Sequence, residues 1–372
     1  MMISAQNFSD LKVCFLSLGL IGGSIAKALR LYHPEIKIYV YNRSENASKE
    51  ALHEGIADYI MQNPTDRIDE CDIIFLCAPV EINNKFLVEI KDKISPECIL
   101  TDVGSVKTGI HETAEKLNLT KQFIGGHPMT GSEKSGYKNA SALLLENSYY
   151  ILTPSCEGQE HQLDFLQNLI SSLKPITIIS DYKTHDFATA AISHVPHLIA
   201  ATLVKLVEEN DTPEQFMKLI AAGGFKDITR IAASSPDMWE QICSGNAENI
   251  ITILDYYQKL LDQIKASLVT KKEGVIYQLF EKSGAYRNSL SDHARGSIRK
   301  SYQLYTDIRD EAGAIAKIAT ILAKETISIK NIGITHNREH EEGILYIVFY
   351  DEKSMNDAVP VLNKNGYPVI ER

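Results

Sequence analysis

Val13-Cys14-Phe15-Leu16-Ser17-Leu18-Gly19-Leu20-Ile21-Gly22-Gly23-Ser24-Ile25-Ala26 reads as a strand, a glycine turn and a helix with small residues on its packing side. That is the context a dinucleotide fingerprint requires. Gly19 lets the backbone approach a pyrophosphate, and Gly22 lets helix and strand pack closely. Leu20 and Ile21 open the helix, whose N-terminus supplies free N–H donors and the positive end of its dipole. The first glycine position holds Ser17, so the fingerprint is degenerate and its strand and helix context carries the reading.

The next apolar run, Ile36 to Tyr41, ends in Asn42-Arg43-Ser44, where an NAD-preferring site usually places Asp or Glu on the ribose 2′-hydroxyl. NAD is the expected cofactor. NADP stays open, because Arg43 and Ser44 are able to hold a 2′-phosphate, whereas the plainer reading is a solvent-exposed Arg43 beside a ribose held by Asn42.

Working outward, Ile73 to Ala78 and Ile99 to Asp102 continue an alternation of strands and helical stretches that predicts a parallel α/β sheet. Tyr149 to Leu152 and Ile176 to Ile179 are expected to extend it, giving a Rossmann-like dinucleotide-binding domain over residues 1–180. Strands then vanish. His185 to Glu209 and Glu248 to Val269 carry a 3.6-residue period, which predicts an all-helical domain over residues 181–300. Pro196 should kink the first of these helices near His194 and His197. Ser289 to Lys300 is polar and basic and reads as a linker. After it the order βαββαβ over residues 301–372 predicts a ferredoxin-like module.

At 372 residues the chain exceeds one core, and 44% hydrophobic with 23% charged residues is ordinary for a folded protein. A net charge of -10 opposes polyanions, so neither nucleic acid nor an anionic membrane is an expected partner. Met1 to Asp10 lacks signal-peptide character and no run reaches about 18 continuous apolar residues, so a cytoplasmic protein is expected. The six cysteines form no CxxC pair and are expected to be core thiols rather than metal ligands.

Two glycine-studded segments follow strands and should project from the carboxyl edge of the sheet, where open α/β folds bind ligands. They are Thr101-Asp102-Val103-Gly104-Ser105-Val106-Lys107 and Gly125-Gly126-His127-Pro128-Met129-Thr130-Gly131-Ser132 with its continuation to Gly136. His127 is the histidine of the second, and a neutral imidazole there is able to accept a proton from a reacting hydroxyl. The helical part adds Ser193, His194 and His197, then Arg230 after Gly223-Gly224, then Trp239. Arg230 is a candidate carboxylate clamp. His194 and His197 share a face, but nothing completes a metal site, and no metal is expected.

These segments, with Ile192-Ser193-His194-Val195-Pro196-His197 and Ala221 to Ala232, together resemble the prephenate dehydrogenases over nearly the whole chain. The resemblance implies oxidative decarboxylation of prephenate to 4-hydroxyphenylpyruvate, with the arogenate dehydrogenases as the nearest rival and a non-catalytic sensor as a remoter one. It implies that His127 draws the proton from the substrate's ring hydroxyl while Ser105 orients both. Arg230 would bind a carboxylate, Ser132, Ser193 and His197 would place polar groups, and Trp239 would close the pocket. It further implies a homodimer built on the helical domain, and an ACT domain at the C-terminus with Gly313 and Asn331 near a tyrosine effector.

Overall fold

Strands buried on both faces need helices above and below, and the first half of the chain supplies them. The computed structural model describes residues 8, 10–131, 134–290, 302–309, 311, 313–337 and 342–370. β1 (Lys12–Leu16), α1 (Leu20–Tyr32), β2 (Lys37–Tyr41), α2 (Glu45–His53), β3 (Tyr59–Ile60), β4 (Ile73–Leu76), α3 (Val80–Ile90), β5 (Ile99–Asp102) and α4 (Thr108–Lys116) follow one another. The five strands pair in parallel in the order β3-β2-β1-β4-β5. Along β1 the side chains alternate between two cores: Val13 and Phe15 enter one, Cys14 and Leu16 the other.

β6 (Ile124–Pro128), β7 (Tyr149–Pro154), α5 (Glu160–Ser172) and β8 (Ile176–Ile179) come next. Instead of simply extending the first sheet, β6, β7 and β8 form a three-stranded sheet of their own, β6 antiparallel to β7 and β7 parallel to β8. A single bridge, Leu100 to Phe123, joins it to β5. The reversal at β7 explains the break, since the loop between β6 and β7 returns on the same side without a crossover.

The helical part holds α6 (Tyr182–Thr189), α7 (Val195–Asn210), α8 (Phe216–Ile220), α9 (Gly223–Thr229), α10 (Pro236–Gly245) and α11 (Ala247–Val269). Pro196 has no N–H to offer the carbonyl four residues back, and the chain accommodates this with a π turn over Ala190–His194 before α7 begins. Within the run Tyr182–Asn210 an 18-residue window has a mean hydropathy of 1.5, and only 22% of that window is buried. By length and composition it is able to cross a membrane. Its buried His185 and Asp186 tie it to the α/β part instead. Ile192, Leu219, Ile228, Ile251 and Leu268 are more than half exposed on these helices.

Residues 274–372 form a second compact unit, separate from 1–273. It contains α12 (Val275–Ser289), β9 (Tyr302–Arg309), α13 (Ala314–Lys324), β10 (Ile329–Asn337), β11 (Glu342–Phe349), α14 (Glu352–Lys364) and β12 (Val369–Ile370). The sheet order is β10-β11-β9-β12, and Ile318, Leu322, Leu345, Ile347 and Leu362 are its fully buried centre. Most of the Ser289 to Lys300 linker lies outside the described residues.

Candidate active site

β6 carries His127 between Gly126 and Pro128, opposite Ile151 of β7, and leaves it 9% exposed. Its backbone position is set by a buried ion pair. Asp102, the last residue of β5, accepts from the Gly126 N–H at 3.1 Å and from the Gly104 N–H at 2.9 Å. Lys107 Nζ donates to Asp102 and, at 2.8 Å, to the Gly126 carbonyl. Both side chains are fully buried. Burial pulls the Lys107 ammonium below its ordinary range, and Asp102 and Asp186 oppose that pull. Gly126 must be glycine, because a Cβ there would lie 2.5 Å from the Asp102 carbonyl oxygen.

α6 delivers the partner of His127. Its start is capped by Asp181, which accepts from the Lys183 and Thr184 N–H groups. One turn in, His185 Nε2 lies 2.8 Å from His127 Nδ1, and His185 Nδ1 lies 2.8 Å from Asp186 Oδ1. Asp186 in turn sits at the N-terminus of α4, accepting from the Lys107 and Thr108 N–H groups at 2.8 Å each and from Thr108 Oγ1 at 2.6 Å. Burial raises its carboxyl, but these hydrogen bonds outweigh that and hold it below the ordinary range. His127 is driven well below the usual imidazole range by burial, then by His185, Lys107 and His194. It is therefore neutral at physiological pH.

The remaining helices close around this centre. Asn246 Nδ2 donates to the Asp186 carbonyl at 2.7 Å and lies 3.1 Å from His194 Nδ1. Burial lowers His194 to about 4. His197 Nδ1 donates to the Ser193 carbonyl at 2.8 Å, and its ring stacks on Trp239 with centroids 3.9 Å apart. The Trp239 Nε1–H is buried without a hydrogen-bond partner among the described residues. Arg230 starts a 3-10 turn, Arg230–Ala233, that packs on α7, and it is exposed.

The dinucleotide turn is built as its sequence requires. No side chain caps α1 at Gly19, and a Cβ at Gly19 would meet nothing within 4 Å, so the start of the helix is open on that side. A Cβ at Gly22 would lie 2.8 Å from Cys77 Cβ. Ser17, at the first fingerprint position, adopts φ 80°. Asn42 Oδ1 accepts from Ser17 Oγ and the Leu18 N–H, both at 3.3 Å, and so braces this strained turn, while Arg43 is exposed. These residues fit a dinucleotide pyrophosphate.

Of the residues expected from sequence, His127, Ser193, His197 and Trp239 lie around one centre. Ser105 is half-buried in the loop between Asp102 and Lys107, and Ser132 lies outside the described residues. In the second unit Gly313 precedes α13 with φ 87°, and Asn331 is exposed at a bulge between β10 and β11. Sequence reasoning gave no role to His185, Asp186, Asn246 or the Asp102–Lys107 pair. The one local signal was an adjacent His-Asp dipeptide just after a helix cap. No group of three His, Cys, Asp or Glu suited to a metal ion occurs among the described residues.

Residues 25–178 match the family model for the nucleotide-binding domain of prephenate dehydrogenase, and residues 181–282 match that for its dimerization domain. A prephenate dehydrogenase of Bacillus subtilis is 36% identical over 343 residues, covering 92% of this chain and 92% of its own. Among solved structures, prephenate dehydrogenase from A. aeolicus in complex with hydroxyphenyl propionate and NAD+ is similar with a TM-score of 0.71 at 29% identity, covering 77% of this chain and 100% of that one. A Synechocystis arogenate dehydrogenase reaches a TM-score of 0.68 at 28% identity, covering 75% and 100%.

Proposed function

The chain belongs to the prephenate dehydrogenase family, and we infer that the His127 centre performs that family's reaction in aromatic amino acid biosynthesis. The enzyme oxidatively decarboxylates prephenate to 4-hydroxyphenylpyruvate with reduction of NAD(P). NAD(P), when bound at the α1 turn, supplies the hydride acceptor. His127 takes the proton of the substrate's ring hydroxyl as hydride leaves the same carbon. The electrons of the bond to the ring carboxylate then enter the ring, carbon dioxide departs, and the proton returns to the oxygen, now phenolic. Ser105 orients the hydroxyl, Arg230 binds a carboxylate, Ser132, Ser193 and His197 place polar groups, and Trp239 closes the pocket.

The observation that carries this reading is the buried, neutral imidazole of His127, next to Gly126, whose N–H donates to Asp102 at the carboxyl end of β5. A base must be unprotonated to act, and burial together with three neighbours keeps it so. The test is absorbance at the reduced-nicotinamide band, with prephenate or arogenate as substrate and NAD or NADP as cofactor. A rise with prephenate exceeding that with arogenate is expected, and faster turnover with NAD than with NADP. The reverse preferences would assign the site to arogenate, or Arg43 to a 2′-phosphate.

The proposal extends to the whole chain: a dinucleotide-binding domain over 1–180, a helical dimerisation domain over 181–300 and an ACT domain over 301–372, in a cytoplasmic homodimer. The exposed apolar residues of the helices support the dimer, and gel filtration at micromolar concentration should give twice the chain mass. The β9 to β12 order with two helices on one face supports the ACT domain. Tyrosine is its proposed effector, near Gly313 and Asn331. Tyrosine should lower the initial rate of the full chain and leave a chain truncated after residue 300 unaffected, and equal rates in both would remove the effector.

A further inference from the structure

Two side chains, an imidazole and a carboxylate, stand in line behind the proposed base, and their hydrogen bonds leave little freedom in where the protons sit. Asp186 accepts from two backbone N–H groups and a threonine hydroxyl, and against its burial these bonds, together with the contact to His185, hold its carboxyl below the ordinary range and so ionised. An ionised carboxylate only accepts. The 2.8 Å contact with Asp186 Oδ1 therefore requires a proton on His185 Nδ1. In a neutral His185 ring, Nε2 is then a lone-pair acceptor, and the 2.8 Å contact with His127 requires the proton on His127 Nδ1. That leaves His127 Nε2 bare.

We propose that His185 and Asp186 are positioning residues for proton transfer, holding His127 in the one tautomer whose Nε2 is free to accept the substrate's hydroxyl proton. The proposal rests on the assignment of His127 as that acceptor. The same line serves the next moment of the reaction. When Nε2 gains a proton, His127 becomes imidazolium, its Nδ1–H still points at His185, and the Asp186 carboxylate lies one imidazole away to balance the charge. The proton borrowed at Nε2 returns to the product oxygen, so no group in the line changes its proton count over a turnover.

A histidine that merely filled space between β6 and α6 would need volume and nothing more. Its replacement separates the two roles. In the full chain, His185→Gln retains a carbonyl able to accept from His127 Nδ1–H, whereas His185→Leu fills the space with no acceptor. His185→Leu should lower kcat by about 100-fold or more while His185→Gln stays within about tenfold of the parent. KM for prephenate and the affinity for NAD should stay within about threefold in both. Asp186→Asn, which puts an amide donor among donors, should follow His185→Leu rather than His185→Gln.

Equal losses in the glutamine and leucine variants with cofactor affinity intact would overturn the proposal, as would no loss in either. Should these variants fail to fold, the parent protein still decides. With 15N-histidine labelling, long-range nitrogen–proton correlation spectra are expected to show both His127 and His185 protonated on Nδ1. His127 protonated on Nε2 would overturn it. The spectra need no turnover, so a chain inactive on prephenate and arogenate would count against the assigned reaction and leave the tautomer measured separately.

Discussion

Replacing Lys107 by methionine would strand the Asp102 carboxylate in the interior. The methionine fills much of the lysine volume, but Asp102 keeps only the Gly104 and Gly126 N–H groups, and the Gly126 carbonyl loses its donor. Breaking a fully buried ion pair from one side costs about 3–5 kcal/mol. A second route reaches the same range: a carboxyl buried without a counter-charge rises by about 3 pH units, worth about 4 kcal/mol at neutral pH. The sign is specific. With the folded-state carboxyl raised above its unfolded value, the deficit is full above the raised value and shrinks as pH falls towards the ordinary carboxylate range. Urea unfolding followed by far-ultraviolet circular dichroism should therefore show a loss of about 4 kcal/mol for Lys107→Met near pH 7.5, roughly halved near pH 5.5. Asp102→Asn/Lys107→Met, which leaves no charge behind, should recover about 2 kcal/mol of it. A single-variant loss under about 1 kcal/mol, or one unchanged between the two pH values, would refute the stranded-charge reasoning.

Other consequences are simpler to state. His127→Asn should lower kcat by about 100-fold or more with NAD affinity nearly unchanged, and unchanged turnover would remove His127 from its role. Arg230→Ala should act mainly on KM for prephenate, by about tenfold or more, and an unchanged KM would exclude the clamp. Gly126→Ala forces β6 away from the Asp102 carbonyl and should cost about 1–3 kcal/mol in thermal unfolding together with a fall in kcat, whereas a neutral result would show that the strands part freely. Acid should destabilise the fold before its carboxylates titrate. His127 is held well below the ordinary range, His194 at about 4 and His111 at about 3, each chiefly by burial. The unfolded chain binds these protons first, so stability is present above about pH 6.5 and falls below it by up to about 1.4 kcal/mol per pH unit for each histidine. A urea midpoint that is flat from about pH 6.5 to about pH 5 would contradict this.

What the sequence made legible was local. β4 and β1 after Lys12 are continuous apolar runs because both faces are covered, and the glycine turn declares itself between a strand and a helix it must join tightly. The separation of β6, β7 and β8 into their own sheet was not legible, since it depends on one antiparallel pairing and a single bridge at Leu100 and Phe123. Pro196 announced an interruption, but a kink and a π turn answer the same missing N–H, and neighbouring packing chooses between them. In the site, His127 stood out because its loop is glycine-rich. His185 did not, because it sits on an ordinary amphipathic helix and acquires its partner only when α6 folds against β6, 58 residues away in the chain.

The features that escaped the sequence share one physical origin. A general base that works at neutral pH needs its imidazole unprotonated, and burial achieves this at the cost of desolvating every polar group nearby. Each of those groups must then find a partner within the protein. Asp102 finds Lys107, Asp186 finds the N-terminus of α4, and His185 bridges Asp186 to His127. Such partners come from whichever strand or helix packs closest, so their spacing along the chain follows no motif. Their chemistry is nevertheless constrained: a line that begins on an ionised, acceptor-only carboxylate alternates donor and acceptor at each ring, and its far end emerges as an acceptor. Dryness and tautomer control are thus one requirement, met by burying a carboxylate one imidazole behind the base.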